Sequence, residues 1–182
     1  MEECGQSVFP LINGDDDFEI VEVNDLDERE LLYPILEESF EGWYLSHSKH
    51  TLRNIDQVFA ARVGGKNVGL VMLKLVEPKI GYVYYIAVSK EFRGRKIGGK
   101  LLDRSLEYFS DLGCEVVFAS LTVEHGDESR ELFRSRKFVE TNFGAVTKRY
   151  GRFRAINLYR KMLVVSGELV VYKNLNAKID ES

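Results

Sequence analysis

The sequence predicts a mixed α/β (α+β) domain in which a run of antiparallel strands leads into a strand, loop, helix, strand crossover. Three observations carry that prediction. A short alternating run at Phe18–Val23 and further apolar runs separated by turn signals from Gln57 to Val88 read as strands. Lys96 to Leu112 places Ile97, Leu101, Leu102, Leu106, Tyr108, Phe109 and Leu112 on one half of a helical wheel, with Lys100, Asp103, Arg104 and Glu107 on the other. Tyr82–Val88 and Glu115–Val123 on either side of that helix are apolar on both faces, as strands in the middle of a covered sheet are. A helix joining two such strands makes them parallel neighbours through a right-handed crossover.

Taken in order, residues 1–17 end in Asp15, Asp16 and Asp17 and read as a solvated, acidic tail. FEIVEV (Phe18–Val23) alternates as a half-buried strand does. Asp27, three before Glu30, has the spacing of a capping box ahead of Leu31, Leu32, Ile35, Leu36 and Phe40 at helical intervals. Pro34 leaves two readings of that helix: a late start with the proline in its first turn, or a kink. Gly42–Asp56, with Trp43, Tyr44, His47, His50 and Arg53, has little periodicity and reads as loops around a short helix. QVFAARV and VGLVMLKLV flank Gly64, Gly65, Lys66 and Asn67, which reads as a hairpin with a turn of those residues.

In the next strand, alternation puts Tyr82, Tyr84, Ile86 and Val88 on one face and Val83, Tyr85 and Ala87 on the other. Gly98 and Ser105 lie in the apolar half of the following helix, where small side chains permit a close approach to the sheet. Gly113 stops that helix. Asp127 and Glu128 open a shorter one that closes on Arg134, Arg136 and Lys137, the charge order a helix dipole favours. The rest reads as mostly extended: FVETNF, a basic linker Lys148–Arg154, AINLYRKML and GELVVYKN.

Size and charge bound the function. A chain of 182 residues suits one main domain. Its net charge of -4 disfavours nucleic acid as a bulk electrostatic partner. No apolar run approaches the roughly 20 residues needed to span a bilayer, and the first ten residues lack a signal peptide's basic start and apolar core. The expectation is a cytoplasmic protein without a membrane partner. Cys4 and Cys114 supply neither a disulfide framework nor metal-ligand spacing, so no metal is expected.

The chemistry concentrates in YVYYIAVSKEFRGRKIGGKLL (Tyr82–Leu102). Backbone N–H groups at the start of a helix converge on an anion, Arg93, Arg95 and Lys96 add charge, and glycines let phosphates reach the backbone. An ordinary tight strand-to-helix turn is the plain alternative. The segment resembles the acyl-coenzyme A motif of the GNAT superfamily of N-acyltransferases, a central strand followed by Arg or Gln, two residues, Gly, one residue, then Gly or Ala. Arg93 and Gly98 match, while Lys96 stands where the first glycine of the pattern usually does. GDESRELFRSRKF (Gly126–Phe138) resembles the second signature, with Leu132, Phe133 and Phe138 in place, Gly126 for the Asn, Phe133 for the Tyr and Lys137 for the Gly. LYRKML (Leu158–Leu163) resembles the closing strand.

The resemblance implies a domain over residues 18–163: a central mixed, mostly antiparallel sheet of about seven strands flanked by helices, with a parallel splayed pair in the middle. Residues 164–182 are then an extension whose GELVVYKN strand extends the sheet or pairs with a second subunit in a homodimer. The resemblance also implies acetyl-CoA as cosubstrate, held by Ile86, Ala87, Val88, Arg93, Gly94, Arg95, Lys96, Ile97, Gly98, Gly99 and Phe133. The acceptor is an amine of a small molecule, protein or peptide, attacking the thioester directly. Phe133 cannot protonate the leaving thiolate as the family's tyrosine does, but a thiol near pKa 8.5 leaves tolerably without help. An α-amino group, partly neutral at pH 7, is a readier nucleophile than a lysine. Glu124 and His125 are candidates for the general base. His47 and His50 fall in the segment that lines the acceptor side in this family, and Trp43, Tyr84 and Tyr85 read as core. The alternative function is a non-catalytic acyl-CoA sensor of the same fold.

Overall fold

The antiparallel part of the sheet forms where the alternating runs predict it. In the computed structural model, which describes residues 18–122 and 126–175, β1 (Glu19–Glu22) pairs with β2 (Gln57–Val63), β2 with β3 (Lys66–Glu77), and β3 with β4 (Ile80–Val88). The acidic tail lies outside the described residues. The β2–β3 turn is shorter than expected. Val63 pairs with Lys66, leaving Gly64 and Gly65 alone at the corner with φ of +54° and +80°. Both angles are left-handed, which two glycines adopt without steric cost.

Between β1 and β2 lie α1 (Leu26–Glu30), α2 (Tyr33–Ser39) and α3 (Gly42–Asn54). The expected single helix is broken before Pro34, which sits in the first turn of α2 where its missing N–H costs nothing. The capping residue is Asp25 rather than Asp27: its carboxylate accepts from the Asp27 N–H at 2.8 Å. Gly42–Asp56 is mostly one helix, α3. Its pattern is hard to read because it buries only Ser48 and Leu52 and turns aromatic residues elsewhere. Arg29, 7% exposed, donates to the carbonyls of Val23 (3.2 Å), Leu52 (3.1 Å) and Ile55 (3.0 Å). It ties α1 to the end of β1 and to the negative end of α3.

A 3₁₀ turn (Lys90–Phe92) and α4 (Ile97–Asp111) join β4 to β5 (Val116–Leu121), and the two strands are parallel as the crossover argument requires. Then come α5 (Gly126–Ser135), β6 (Val139–Thr141), α6 (Phe143–Tyr150), α7 (Arg152–Met162) and β7 (Leu169–Asn174). Three expectations are corrected here. AINLYRKML is not extended, and LYRKML is not the closing strand: Ala155, Leu158 and Met162 are buried at the spacing of one helical face in α7. The basic stretch Lys148–Arg154 is not a linker but the end of α6, a turn at Gly151 and the start of α7. The strand from GELVVYKN, β7, lies inside the sheet. It is antiparallel to both β5 and β6, giving the order β1-β2-β3-β4-β5-β7-β6.

Helices cover both faces. On one, Ile97, Leu101, Leu102 and Phe109 of α4 and Phe133 of α5 pack on Phe59, Ala61, Val71, Leu73 and Val83. On the other, Leu32, Leu36 and Leu52 cover Val58, Ala60, Leu70 and Met72, while Val146, Ala155, Leu158 and Met162 cover Tyr82 and Phe118. The period of two in β2 is therefore satisfied on both sides. Close approach of α4 falls at Gly81, where an added Cβ would stand 2.5 Å from the Phe109 ring. Ser105 is fully buried and returns its hydroxyl to Leu101 O at 2.7 Å.

Candidate active site

β4 carries the feature that opens the site. Leu73 opposes Val83 and Met72 opposes Tyr85, so Tyr84 is an extra residue in the ladder, a β-bulge. The bulge shifts the pleat by one. Tyr84 and Tyr85 both pack toward α1–α3, and Ile86 and Val88 turn to the α4 side. The alternation expected for this strand, with Tyr84 and Tyr85 on opposite faces, is corrected accordingly. β4 and β5 pair from Ile80 with Val116 only as far as Val83 with Ala119. Beyond that point β4 runs on to Val88 and β5 to Leu121, so the parallel pair is splayed.

Beside the splay stands the start of α4. Lys96 caps it in a left-handed conformation (φ 61°) without a side-chain capping bond, and the first intrahelical bond runs from the Lys100 N–H to Lys96 O at 3.1 Å. The N–H groups of Ile97, Gly98 and Gly99 precede that bond, at the positive end of the helix. Arg93 Nε donates to Val88 O at 3.1 Å, folding the loop back on the end of β4, and the Arg95 guanidinium lies over the Phe92 ring at 5.0 Å. The two glycines have separate reasons. Gly98 faces Val88 and Leu132 across the opening with room for a Cβ, at 3.8 and 3.6 Å. At Gly99 a Cβ would run into Arg136, whose guanidinium crosses α4 to grip both carboxylate oxygens of Asp103 at 3.1 and 3.2 Å.

A cavity of about 620 Å³ runs along the splay. One end is formed by Arg93, Gly94, Lys96, Ile97, Gly98 and Gly99, the wall by Tyr82–Val88, Leu132 and Phe133, and the other end by Phe40, Trp43, Tyr44, His47, Leu163 and Glu168. The structure thus brings together ten of the eleven residues expected around the cosubstrate, and leaves Arg95 on its outside. Phe133 is 2% exposed and meets Phe138 edge-to-face at 5.0 Å. Glu124 and His125 lie outside the described residues.

The far end is aromatic. His47 stacks between Trp43 (4.7 Å, 15°) and Tyr84 (5.9 Å, 22°), and its Nδ1 is 2.8 Å from the Tyr85 hydroxyl. Tyr82 and Ser120 share a hydrogen bond of 2.6 Å across the two strands. Glu168 accepts from the Tyr44 hydroxyl at 3.1 Å and from the Val165 N–H at 2.9 Å. Burial, and then the charge of His50, hold His47 below its ordinary pKa. Burial, and then Glu168, push Tyr84 up to about 12; burial likewise raises Tyr82 and Tyr85. Near neutrality this end of the site therefore presents a neutral imidazole and protonated phenols around Glu168; the cavity's other acidic side chain, Glu128, comes from α5. Trp43, expected in the core, is 54% exposed and lines the cavity together with Tyr84 and Tyr85, because the bulge turns both tyrosines toward α3. His50 is exposed and outside the lining. Glu168 and Ser120 were missed: neither is near a motif, and only β7 pairing with β5 brings their segments together.

The sequence model of the acetyltransferase (GNAT) family matches residues 21–138. A curated relative, an uncharacterized N-acetyltransferase of Archaeoglobus fulgidus, is 32% identical over 102 residues, which are 53% of this chain and 60% of the relative. Among solved structures, the chain is similar to a GNAT-family acetyltransferase of Staphylococcus aureus (TM-score 0.67, 16% identity, 87% of this chain and 99% of that one). It is also similar to the ribosomal-protein-S18-alanine N-acetyltransferase of Escherichia coli (TM-score 0.66, 11% identity, 91% and 98%). A third, Rv2747 of Mycobacterium tuberculosis, was solved in complex with CoA and NLQ (TM-score 0.60, 16% identity, 86% and 98%). At these identities the structures establish a shared fold.

Proposed function

The chain belongs to the acetyltransferase (GNAT) family, and on that premise we propose that it moves an acetyl group from acetyl-CoA to a primary amine by direct attack on the thioester. The observation that carries this reading is the parting of β4 from β5 after Val83, beside the start of α4. The lining fits acetyl-CoA: helix N–H groups and two cations at one end suit a diphosphate, and the free edge of β4 suits an amide-bearing arm. The cosubstrate supplies an activated acyl thioester. Ile97, Gly98, Gly99, Arg93 and Lys96 hold its phosphates. Backbone groups of Ile86, Ala87 and Val88 pair with the pantetheine arm and polarise the carbonyl.

As the amine nitrogen bonds to the acyl carbon and the carbon–sulfur bond breaks, the thiolate leaves without a proton from Phe133. The amine's proton passes to the Tyr85 hydroxyl as that hydroxyl releases its own to His47 Nδ1, 2.8 Å away. His47 is suited to this because burial keeps it neutral. Glu124 and His125, expected from the sequence as candidates for the general base, remain proposed in that role as alternatives to His47, and the protein is proposed to be cytoplasmic.

Calorimetry with acetyl-CoA, followed by thiol-release assays on an amine panel that includes peptides with free N-termini, tests the reading. Binding with amine-dependent release is expected, and His47→Gln should lower kcat while leaving acetyl-CoA affinity unchanged. No binding at millimolar acetyl-CoA would refute it. Binding without release on any amine would favour a non-catalytic acyl-CoA sensor, the reading that Phe133 at the tyrosine position supports.

A further inference from the structure

We infer that the acceptor end of the cavity is built for an organic ammonium on an apolar or aromatic body, carrying no anionic group beside its nitrogen. This rests on the proposed acetyl transfer and names its substrate class. Charge is unevenly placed along the cavity. Its lining cations among the described residues, Arg93 and Lys96, both stand at the α4 end. The opposite end has a single carboxylate, Glu168, held in position by Tyr44 and the Val165 N–H, and it takes part in none of the ion pairs among the described residues.

Around Glu168 the surfaces are ring faces and hydroxyls. The stack of Trp43, His47 and Tyr84 presents aromatic faces, which attract an ammonium through the ring quadrupole. Tyr84 already does so: Lys74 Nζ lies over its ring at 5.9 Å, from outside the cavity lining. His47, neutral through burial, does not repel a cation. A carboxylate on the acceptor would instead meet Glu168 with no lining cation to pair with, and would be rejected by repulsion and unpaired burial.

The protein's single tryptophan is Trp43, so its fluorescence reports on this end alone. The probes are benzyltrimethylammonium, which has no N–H and cannot be acetylated, benzyl alcohol and phenylacetate, each titrated with and without CoA. The expected order is the ammonium tightest, by roughly tenfold over the alcohol, with phenylacetate weakest. Glu168→Gln should remove most of that preference while leaving benzyl alcohol binding unchanged. Equal affinities, a preference for phenylacetate, no saturable change with any probe, or full preference retained in Glu168→Gln would each overturn the inference. CoA binding is read separately by calorimetry: its failure refutes acetyl transfer, while an ammonium preference in the CoA-free protein still supports the ammonium site.

Discussion

Replacing Lys96 with glycine should stabilise the protein and weaken its hold on acetyl-CoA. The residue caps α4 at φ 61° and ψ 6°, where a side chain crowds the backbone. That conformation costs about 1–2 kcal/mol for an ordinary residue. Glycine removes the cost but gives back about 0.4–1 kcal/mol through the freer unfolded chain. The net gain is about 0.5–1 kcal/mol, which for a chain of this size raises the melting temperature by roughly 1–4 °C. The lysine's charge is a separate matter, and its loss from an exposed position should weaken acetyl-CoA by roughly two- to fivefold. Lys96→Ala separates the effects, since it loses the charge and keeps the strained backbone. Thermal unfolding and calorimetry on the three proteins give the test. Should Lys96→Ala melt as high as Lys96→Gly, backbone strain at the cap is not what the substitution relieves.

Gly81→Ala should destabilise by about 1–3 kcal/mol, read as a lower urea midpoint, because the new Cβ would sit 2.5 Å from the fully buried Phe109 ring and overpack the core. A midpoint equal to the parent's would mean that α4 can shift away from the sheet freely. Stability should also fall on acidification through His47. Its folded pKa lies below the unfolded value, so the unfolded chain takes up the proton first: the contribution is intact above about pH 6.5 and is lost as pH falls from there toward the folded pKa. In His47→Phe the difference in melting temperature between about pH 7.5 and 5.5 should shrink; an undiminished difference would place the titration elsewhere.

The part of this molecule legible in its sequence is the part where one physical pattern dominates. QVFAARV is β2 residue for residue, and the apolar stripe of Ile97–Leu112 is α4 to within one residue. The placement of Arg93 and Gly98 at the turn into α4 was readable because an apolar strand, a loop rich in glycine and charge, and an amphipathic helix follow one another in the chain. The bulge was not readable. Tyr82–Val88 is apolar on both faces, so a shift of the pleat leaves no trace in its composition, although that shift is what opens the site. The aromatic end of the cavity was hidden for a different reason: Trp43 and His47 on α3, Tyr84 on β4 and Glu168 before β7 meet only through the sheet. Ala155–Leu163 misled because a half-buried helix mixes apolar and polar residues much as a strand does. Lys96 and Lys137 carried a clue in plain view. Each stands where the family resemblance calls for glycine, and each has a left-handed backbone, φ 61° and 62°.

The place of β7 has a consequence for how the chain reaches its native state. β6 pairs with β7, and β7 with β5, so residues 169–174 fasten the α5–α7 segment to the central strands. The ladders from β1 to β4 close over short or moderate separations in the chain, whereas β7 must return across α5, β6, α6 and α7 to find Val116–Leu121. Loop-closure entropy and contact order both make that return slow. Until it happens, the edge of β5 is bare and Glu168 has no fixed position. The start of α4 beside β4 can therefore be assembled in a chain whose cavity still lacks its far end.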